Sequence, residues 1–212
     1  MRAKMTLFCA ALLLLICVGS GERREMNDMA IVLGLGVDAA NDGLLLSVEL
    51  AHQQGVDQPA EALVFSAAGQ DLEQAGEHLA ELLDRELFWG SAELIVCGRE
   101  LAESGGLYHV AAQIYDDTRF DPKPYIVVAD GTAQQALGDS FGEADYVSQG
   151  LAQALADSER QPPTLTLLLE RGLNGQRNMP LPLLEQTPQG LRLNGSVFCQ
   201  LRGDELRTAC RQ

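Results

Sequence analysis

Residues 30–50 read AIVLGLGVDAANDGLLLSVEL, and this stretch predicts two neighbouring strands joined by a tight turn. Residues 30–37 are apolar nearly throughout, which is typical of a strand that is covered on both faces. The Asn-Asp-Gly sequence at residues 41–43 is a strong hairpin signal, because these residue types tolerate the backbone angles of a tight turn. Residues 44–50 then form the return strand.

Beyond this hairpin, apolar runs alternate with helical patterns. Further strands are predicted at residues 62–66, 92–97 and 125–129. The clearest helix is predicted over residues 70–88, where apolar residues recur at helical spacing. Its predicted apolar face consists of Leu72, Ala75, Leu79, Leu82, Leu83 and Leu87. Other helices are predicted at residues 99–103, 107–115, 132–137, 143–158 and 164–171.

The pattern changes from residue 179 onward. Pro180 and Pro182 exclude a central strand there, because proline cannot donate a hydrogen bond to a neighbouring strand. Residues 183–201 predict an antiparallel ribbon that reverses at residues 188–190. Together these patterns predict an α/β (α+β) fold, with a mixed β-sheet flanked by helices and a C-terminal antiparallel ribbon.

An apolar leader precedes these elements. Arg2 and Lys4 come before an apolar run at residues 5–18, which is shorter than the roughly 18 residues that a spanning helix needs. This pattern predicts a signal peptide over residues 1–20 and an exported domain over residues 21–212. A lipoprotein signal with Cys17 as the acylated residue is the alternative, although Cys17 follows a bulky isoleucine.

Composition excludes some partners. The 212 residues carry a formal net charge of −15, which argues against nucleic acid binding because phosphate contacts need clustered Lys and Arg. The same charge argues against adhesion to an anionic bilayer through electrostatics alone. Cys97 ends an apolar run and is predicted to be buried. Cys199 and Cys210 are positioned to pair across a turn, but their spacing does not require a disulfide.

No motif predicts catalysis or a cofactor. The sequence GLGVDA at residues 34–39 fits a dinucleotide-binding pattern, but a turn and a strand follow it where that motif needs a helix. Its glycines instead predict a bulge or close backbone packing. The three histidines have no metal-ligand spacing, and no nucleophile has a base partner. The sequence therefore predicts no cofactor, no metal site and no enzyme. It carries no nucleophile–base signature that would indicate an exported hydrolase.

Four residues are candidates for partner binding. Phe88 and Trp89 lie together, and tryptophan is enriched at interface hot spots. Core packing is the competing interpretation for Trp89. Arg23 and Arg24 are positioned to pair with acidic groups on a membrane partner, and a solvated linker is the competing interpretation.

Four segments resemble one known family. They are the ERRE sequence leading into AIVLGLGVD, LFWG leading into LIVCGRELA, the segment at residues 119–137, and LNGSVF at residues 193–198. In this order they resemble the N-terminal domain of the GerAC-type C-subunit lipoproteins of spore germinant receptors. Members of that family carry a lipid-bearing cysteine in a Gly-Cys-Trp run, where this sequence has Gly19, Ser20 and Gly21. Members also continue into further domains, whereas this sequence ends at Gln212.

The resemblance implies a role in assembly. It implies a non-enzymatic, exported, membrane-associated accessory subunit of a nutrient germinant receptor that acts in spore germination. The implied partners are the integral membrane A and B subunits, and the implied location is the outer face of the cytoplasmic (inner spore) membrane, held there by lipid or by these partners. The alternative is a stand-alone secreted module that binds a solute or peptide.

Overall fold

The computed structural model describes residues 29–51, 63–120, 124–158, 163–174, 178–202 and 207–211. The strands are β1 (Met29–Ala40), β2 (Gly43–Leu50), β3 (Leu63–Gly69), β4 (Glu86–Phe88), β5 (Leu94–Cys97), β6 (Tyr125–Ala129), β7 (Asn178–Thr187), β8 (Gly190–Arg202) and β9 (Arg207–Arg211). The helices are α1 (Leu72–Leu83), α2 (Arg99–Ser104), α3 (Gly106–Asp116), α4 (Ala133–Leu137), α5 (Val147–Ala156) and α6 (Leu165–Leu173). The predicted signal peptide at residues 1–20 lies outside the described residues.

The strands form one mixed sheet in the order β3-β2-β1-β5-β6-β7-β8-β9, and the short β4 runs beside the start of β1. The four strands β1, β5, β6 and β7 are parallel to one another. Antiparallel pairs extend the sheet on both sides, through β2 and β3 at one edge and through β8 and β9 at the other. The predicted mixed sheet, flanking helices and C-terminal ribbon are therefore confirmed.

Helices cover both faces of the sheet. On one face, α1, α2, α3 and α6 pack on the larger apolar core, and on the other face α4 and α5 pack on a smaller one. The central strand β5 shows the alternation, because Ile95 and Cys97 face the larger core while Leu94 and Val96 face the smaller one. All four side chains are buried, as is typical of a parallel strand between two layers of helices.

The predicted helix over residues 70–88 is wrong beyond Leu83. The helix α1 ends there, and Asp84 adopts a left-handed conformation with φ of 50° that turns the chain back. Leu87 belongs to β4, where it pairs with Ala30 of β1. Leu82, which was predicted to lie on the apolar face, is 61% exposed. A leucine four residues beyond the helix end fits a helical pattern and a buried strand position equally well.

The exclusion of a central strand by Pro180 and Pro182 is also wrong. Both prolines lie in β7, between β6 and β8 in the sheet. They are two residues apart, so their nitrogens face the same side of the strand. Pairing with β6 begins only at Leu183, and the chain at Pro163 bonds to β6 before that point. The prolines therefore occupy a stretch of β7 in which no backbone N–H group has to donate a hydrogen bond to β6.

Candidate functional site

The sequence-predicted partner residues have different environments. Trp89 is 5% exposed, and its ring lies 5.0 Å from the ring of Phe120, measured between centroids. Its neighbour Phe88 is 42% exposed at the end of β4. Of this pair, Phe88 alone presents a large apolar surface to solvent. Cys17, Arg23 and Arg24 lie outside the described residues.

The Gly-x-Gly-x-Asp sequence of β1 forms a contact surface for two helices. Gly34, Gly36 and Asp38 lie on one face of the strand, because side chains alternate along it. A Cβ atom at Gly34 would lie 1.8 Å from the hydroxyl oxygen of Ser148 in α5, and one at Gly36 would lie 3.0 Å from the Cβ of Ala133 in α4. The glycines thus admit close helix packing, and a bulge in the pairing with β2 falls just before Gly34. Both features that the sequence analysis inferred from these glycines are confirmed.

Asp38 caps the first of these helices. Its carboxylate is nearly buried and accepts hydrogen bonds from the backbone N–H groups of Ala133 (2.7 Å) and Gln134 (3.0 Å) at the start of α4. Burial raises the pKa of Asp38, and these two hydrogen bonds oppose the rise. A side chain at Gly98 would collide with this carboxylate, since its Cβ would lie 1.9 Å from Asp38 Oδ1.

Glu49 caps the second helix in the same way. It is fully buried in β2, and its two carboxylate oxygens accept from the N–H groups of Val147 (2.8 Å) and Ser148 (2.8 Å) at the start of α5. Burial raises the pKa of Glu49, and the hydrogen bonds from Ser148 and Val147 oppose the rise. A carboxylate at this position also interacts favourably with the positive end of the helix dipole. The predicted helix at residues 143–158 begins instead at Val147, where Glu49 supplies the cap.

These two carboxylates were not singled out by the sequence analysis. The sequence places Asp38 at the end of the first strand and Glu49 in the return strand, and it predicts a capping role for neither. Each is an acidic residue within an apolar strand, and this pattern indicates a buried carboxylate. A buried carboxylate needs hydrogen-bond partners, so the pattern could have pointed to a capping role. The partners of Glu49, however, are Val147 and Ser148, which lie 98 and 99 residues further along the chain.

Polar groups at the carboxyl ends of the parallel strands bind one another. This edge is where α/β sheets usually bind ligands. Here Asp38 caps α4, and Arg99 forms ion pairs with Asp130 and with Glu103, the latter at 2.8 Å. Within the described residues, no group of three or more His, Cys, Asp or Glu side chains could hold a metal ion. None of the helices in the described part of the chain is long and apolar enough to cross a lipid bilayer.

Known proteins share this domain. The sequence model of the family described as "Spore germination protein N-terminal domain" matches residues 22–185, which is most of the chain. The chain therefore belongs to that family, and the GerAC-type resemblance is confirmed.

Two known proteins are similar to this chain. Spore germination protein KC of Bacillus subtilis (strain 168) is 28% identical over 142 residues, which cover 60% of this chain and 35% of that protein. A solved structure described as "Crystal Structure of the GerBC protein" is similar with a TM-score of 0.43 and 13% identity, over 84% of this chain and 51% of that one. The matched region is thus well under two thirds of the length of either protein.

Proposed function

We propose that this chain is a non-enzymatic, exported accessory subunit of a nutrient germinant receptor, of the C-subunit type, that acts in spore germination. The observation that carries the proposal is the family match over residues 22–185. The similarity to Spore germination protein KC supports it for 60% of the chain.

The proposed mechanism is assembly with the integral membrane A and B subunits at the outer face of the cytoplasmic (inner spore) membrane. The internally bonded carboxyl edge of the sheet supports a role without catalysis, since Asp38, Arg99 and Asp130 are engaged in holding the fold. Phe88 is the proposed contact on the described surface, because an exposed aromatic ring is suited to burial against a partner. Arg23 and Arg24 are the proposed contacts nearest the membrane.

Retention at the membrane has two proposed routes. Cleavage before Gly21 leaves protein contacts to hold the domain, whereas acylation at Cys17 adds a lipid anchor. The intact mass of the purified protein distinguishes the two, because the retained residues and the attached lipid differ.

The test of the proposal is co-purification. A C-terminally tagged chain is expressed in the spore-forming host, and spore membranes are solubilised in mild detergent. We expect two polytopic membrane proteins to elute with the chain, and spores that lack the chain to lose a nutrient response. Recovery of the chain from the cytosol with no membrane protein attached would contradict the proposal.

A further inference from the structure

A cavity of about 560 Å³ lies beside Trp89, where α1 and α3 pack on the sheet. Its volume falls in the range of about 300–1,000 Å³ that small-molecule sites occupy. Apolar side chains from the sheet, from both helices and from the segment after α3 contribute to its lining. They are Leu35, Leu46, Leu72, Trp89, Ile114 and Phe120. An apolar ligand body therefore has an aliphatic and aromatic surface to contact.

Acidic side chains also line the cavity. Asp71 and Glu73 come from the start of α1, and Asp116 and Asp117 from the end of α3. Arg119 is the cation among the lining residues, which leaves a formal surplus of three negative charges. Arg119 donates to Asp117 at 2.6 Å and lowers the pKa of that carboxyl, so this guanidinium is already engaged. The local charge favours a cation and disfavours an anion.

Gln113 has a side-chain oxygen that lacks a hydrogen-bond donor in the described part of the chain. Its side-chain oxygen Oε1 is buried and accepts no hydrogen bond within the described residues. Its amide nitrogen lies 3.2 Å from Nε2 of His109, so the nitrogen is engaged and the oxygen is not. Buried polar atoms are nearly always paired, and an amide oxygen can pair only with a donor. Gln113 lines this cavity, so a turn of its terminal amide would present the oxygen to a ligand N–H group, which would satisfy it.

We propose that this cavity binds a small organic cation, in which an ammonium or similar nitrogen donates to Gln113 Oε1 and an apolar body packs against Trp89 and Phe120. A carboxylate ligand would meet the surplus of negative charge, which disfavours it. The ammonium ligand satisfies the charge, the amide oxygen and the apolar lining together. This binding activity goes beyond the proposed subunit role and does not depend on it.

The chain contains its own reporter. Trp89 is the single tryptophan, and it lines the cavity, so its fluorescence reports on this site alone. The full chain is titrated with 2-phenylethylammonium and, in parallel, with 3-phenylpropionate, which has a similar body and the opposite charge. We expect a saturable change for the ammonium probe below about 10 mM and none for the carboxylate. Equal responses to the two probes, or no saturable response to the ammonium, would overturn the proposal.

Variants test the assigned contacts by calorimetry. Gln113→Leu should weaken ammonium binding by about tenfold, because a hydrogen bond to a charged donor is lost. Glu73→Gln and Asp116→Asn should each weaken it by about two- to fivefold, as expected for exposed charges. Glu143→Gln is the matched control, since this exposed acid does not line the cavity, and it should bind as the parent does.

Gly76 offers a way to fill the cavity. A Cβ atom there would lie 3.5 Å from Cζ2 of Trp89, which is ordinary van der Waals contact, so a side chain is accommodated at its base. Gly76→Ala should therefore fold as the parent does, and Gly76→Leu should project into the cavity and abolish binding. Circular dichroism confirms the fold of each variant. Unchanged affinity in a folded Gly76→Leu protein would refute the assignment to this cavity.

Discussion

The contact between β1 and α5 gives a sharp test of why Gly34 is a glycine. Replacing it with alanine places a methyl group 1.8 Å from Ser148 Oγ and 2.7 Å from Ser148 Cβ. Rotating the hydroxyl away cannot relieve the second contact, because the Cβ position is set by the backbone of α5. The helix must therefore move away from the strand in Gly34→Ala.

The cost follows from what that movement disturbs. Overpacking a core costs about 1–3 kcal/mol by itself. A shift of α5 also lengthens the two 2.8 Å hydrogen bonds from Val147 and Ser148 to Glu49, and each bond to a charged group contributes about 1.5–3 kcal/mol. We expect Gly34→Ala to lower the free energy of unfolding by about 3–5 kcal/mol, a large part of the 5–15 kcal/mol typical of a domain. The melting temperature should fall by about 6–20 °C, at about 2–4 °C per kcal/mol for a chain of this size.

The assay is urea unfolding followed by circular dichroism, arranged as a double-mutant cycle with Ser148→Gly. Removing the serine side chain opens the space that the new methyl group needs, so the double variant should recover about 2 kcal/mol relative to the sum of the single changes. Gly131→Ala is the matched control, because its Cβ would lie 3.7 Å from the nearest atom, Oε1 of Gln135, and it should be nearly neutral. The helix-contact explanation would be refuted if the effects of Gly34→Ala and Ser148→Gly on the free energy of unfolding were additive, or if Gly34→Ala left that free energy unchanged.

Three other expectations concern titration, the aromatic pair and the cysteines. Burial raises the pKa of Asp38 and of Glu49 above their ordinary values of 3.8 and 4.5, which apply to the unfolded chain. Between the ordinary and the raised pKa, the native state binds protons that the unfolded chain has released. The free energy of unfolding should therefore rise as the pH falls through this interval. Urea titrations should show a smaller rise in Glu49→Gln, and an identical rise would contradict the assignment. Trp89→Ala should lose about 3–5 kcal/mol in thermal unfolding, whereas Phe88→Ala should stay within about 1 kcal/mol and reduce co-purification of membrane subunits. Strands β8 and β9 place Cys199 opposite Cys210, and opposed residues lie about 4.5–5.5 Å apart between Cα atoms, within disulfide range. Peptide mapping of oxidised protein, denatured before alkylation, should therefore show a Cys199–Cys210 cross-link that a reductant removes, and alkylation of both residues in the denatured chain before reduction would exclude that disulfide.

Elements whose conformation is determined by neighbouring residues were predicted well from the sequence. The first hairpin, β5 and β6 follow from short apolar runs and from turn residues that lie next to one another. The helix α3 at Gly106–Asp116 follows from its apolar spacing and from Gly105, whose φ of 95° separates it from α2. In each case the residues that decide the conformation lie within one element or at its end.

The errors arise where distant parts of the chain decide. Pro180 and Pro182 are acceptable in β7 because a different segment bonds to β6 at that level, which local composition cannot reveal. The start of α5 depends on Glu49, almost a hundred residues earlier in the chain. The cavity beside Trp89 likewise forms only after α1 and α3 have packed on the sheet. These are tertiary contacts, and periodicity carries no information about them.

The residues that carry the family resemblance in β1 are also those that hold the architecture. Gly34 and Gly36 admit α5 and α4, and Asp38 caps α4, so changes there act on the whole domain. The cavity and Phe88 involve side chains that the sheet does not need for its pairing. Substitutions at Gly34 should therefore lower the melting temperature and weaken every activity of the domain together. Substitutions at Gln113 or Phe88 should separate cation binding from subunit assembly while leaving the melting temperature nearly unchanged, because each touches one surface only.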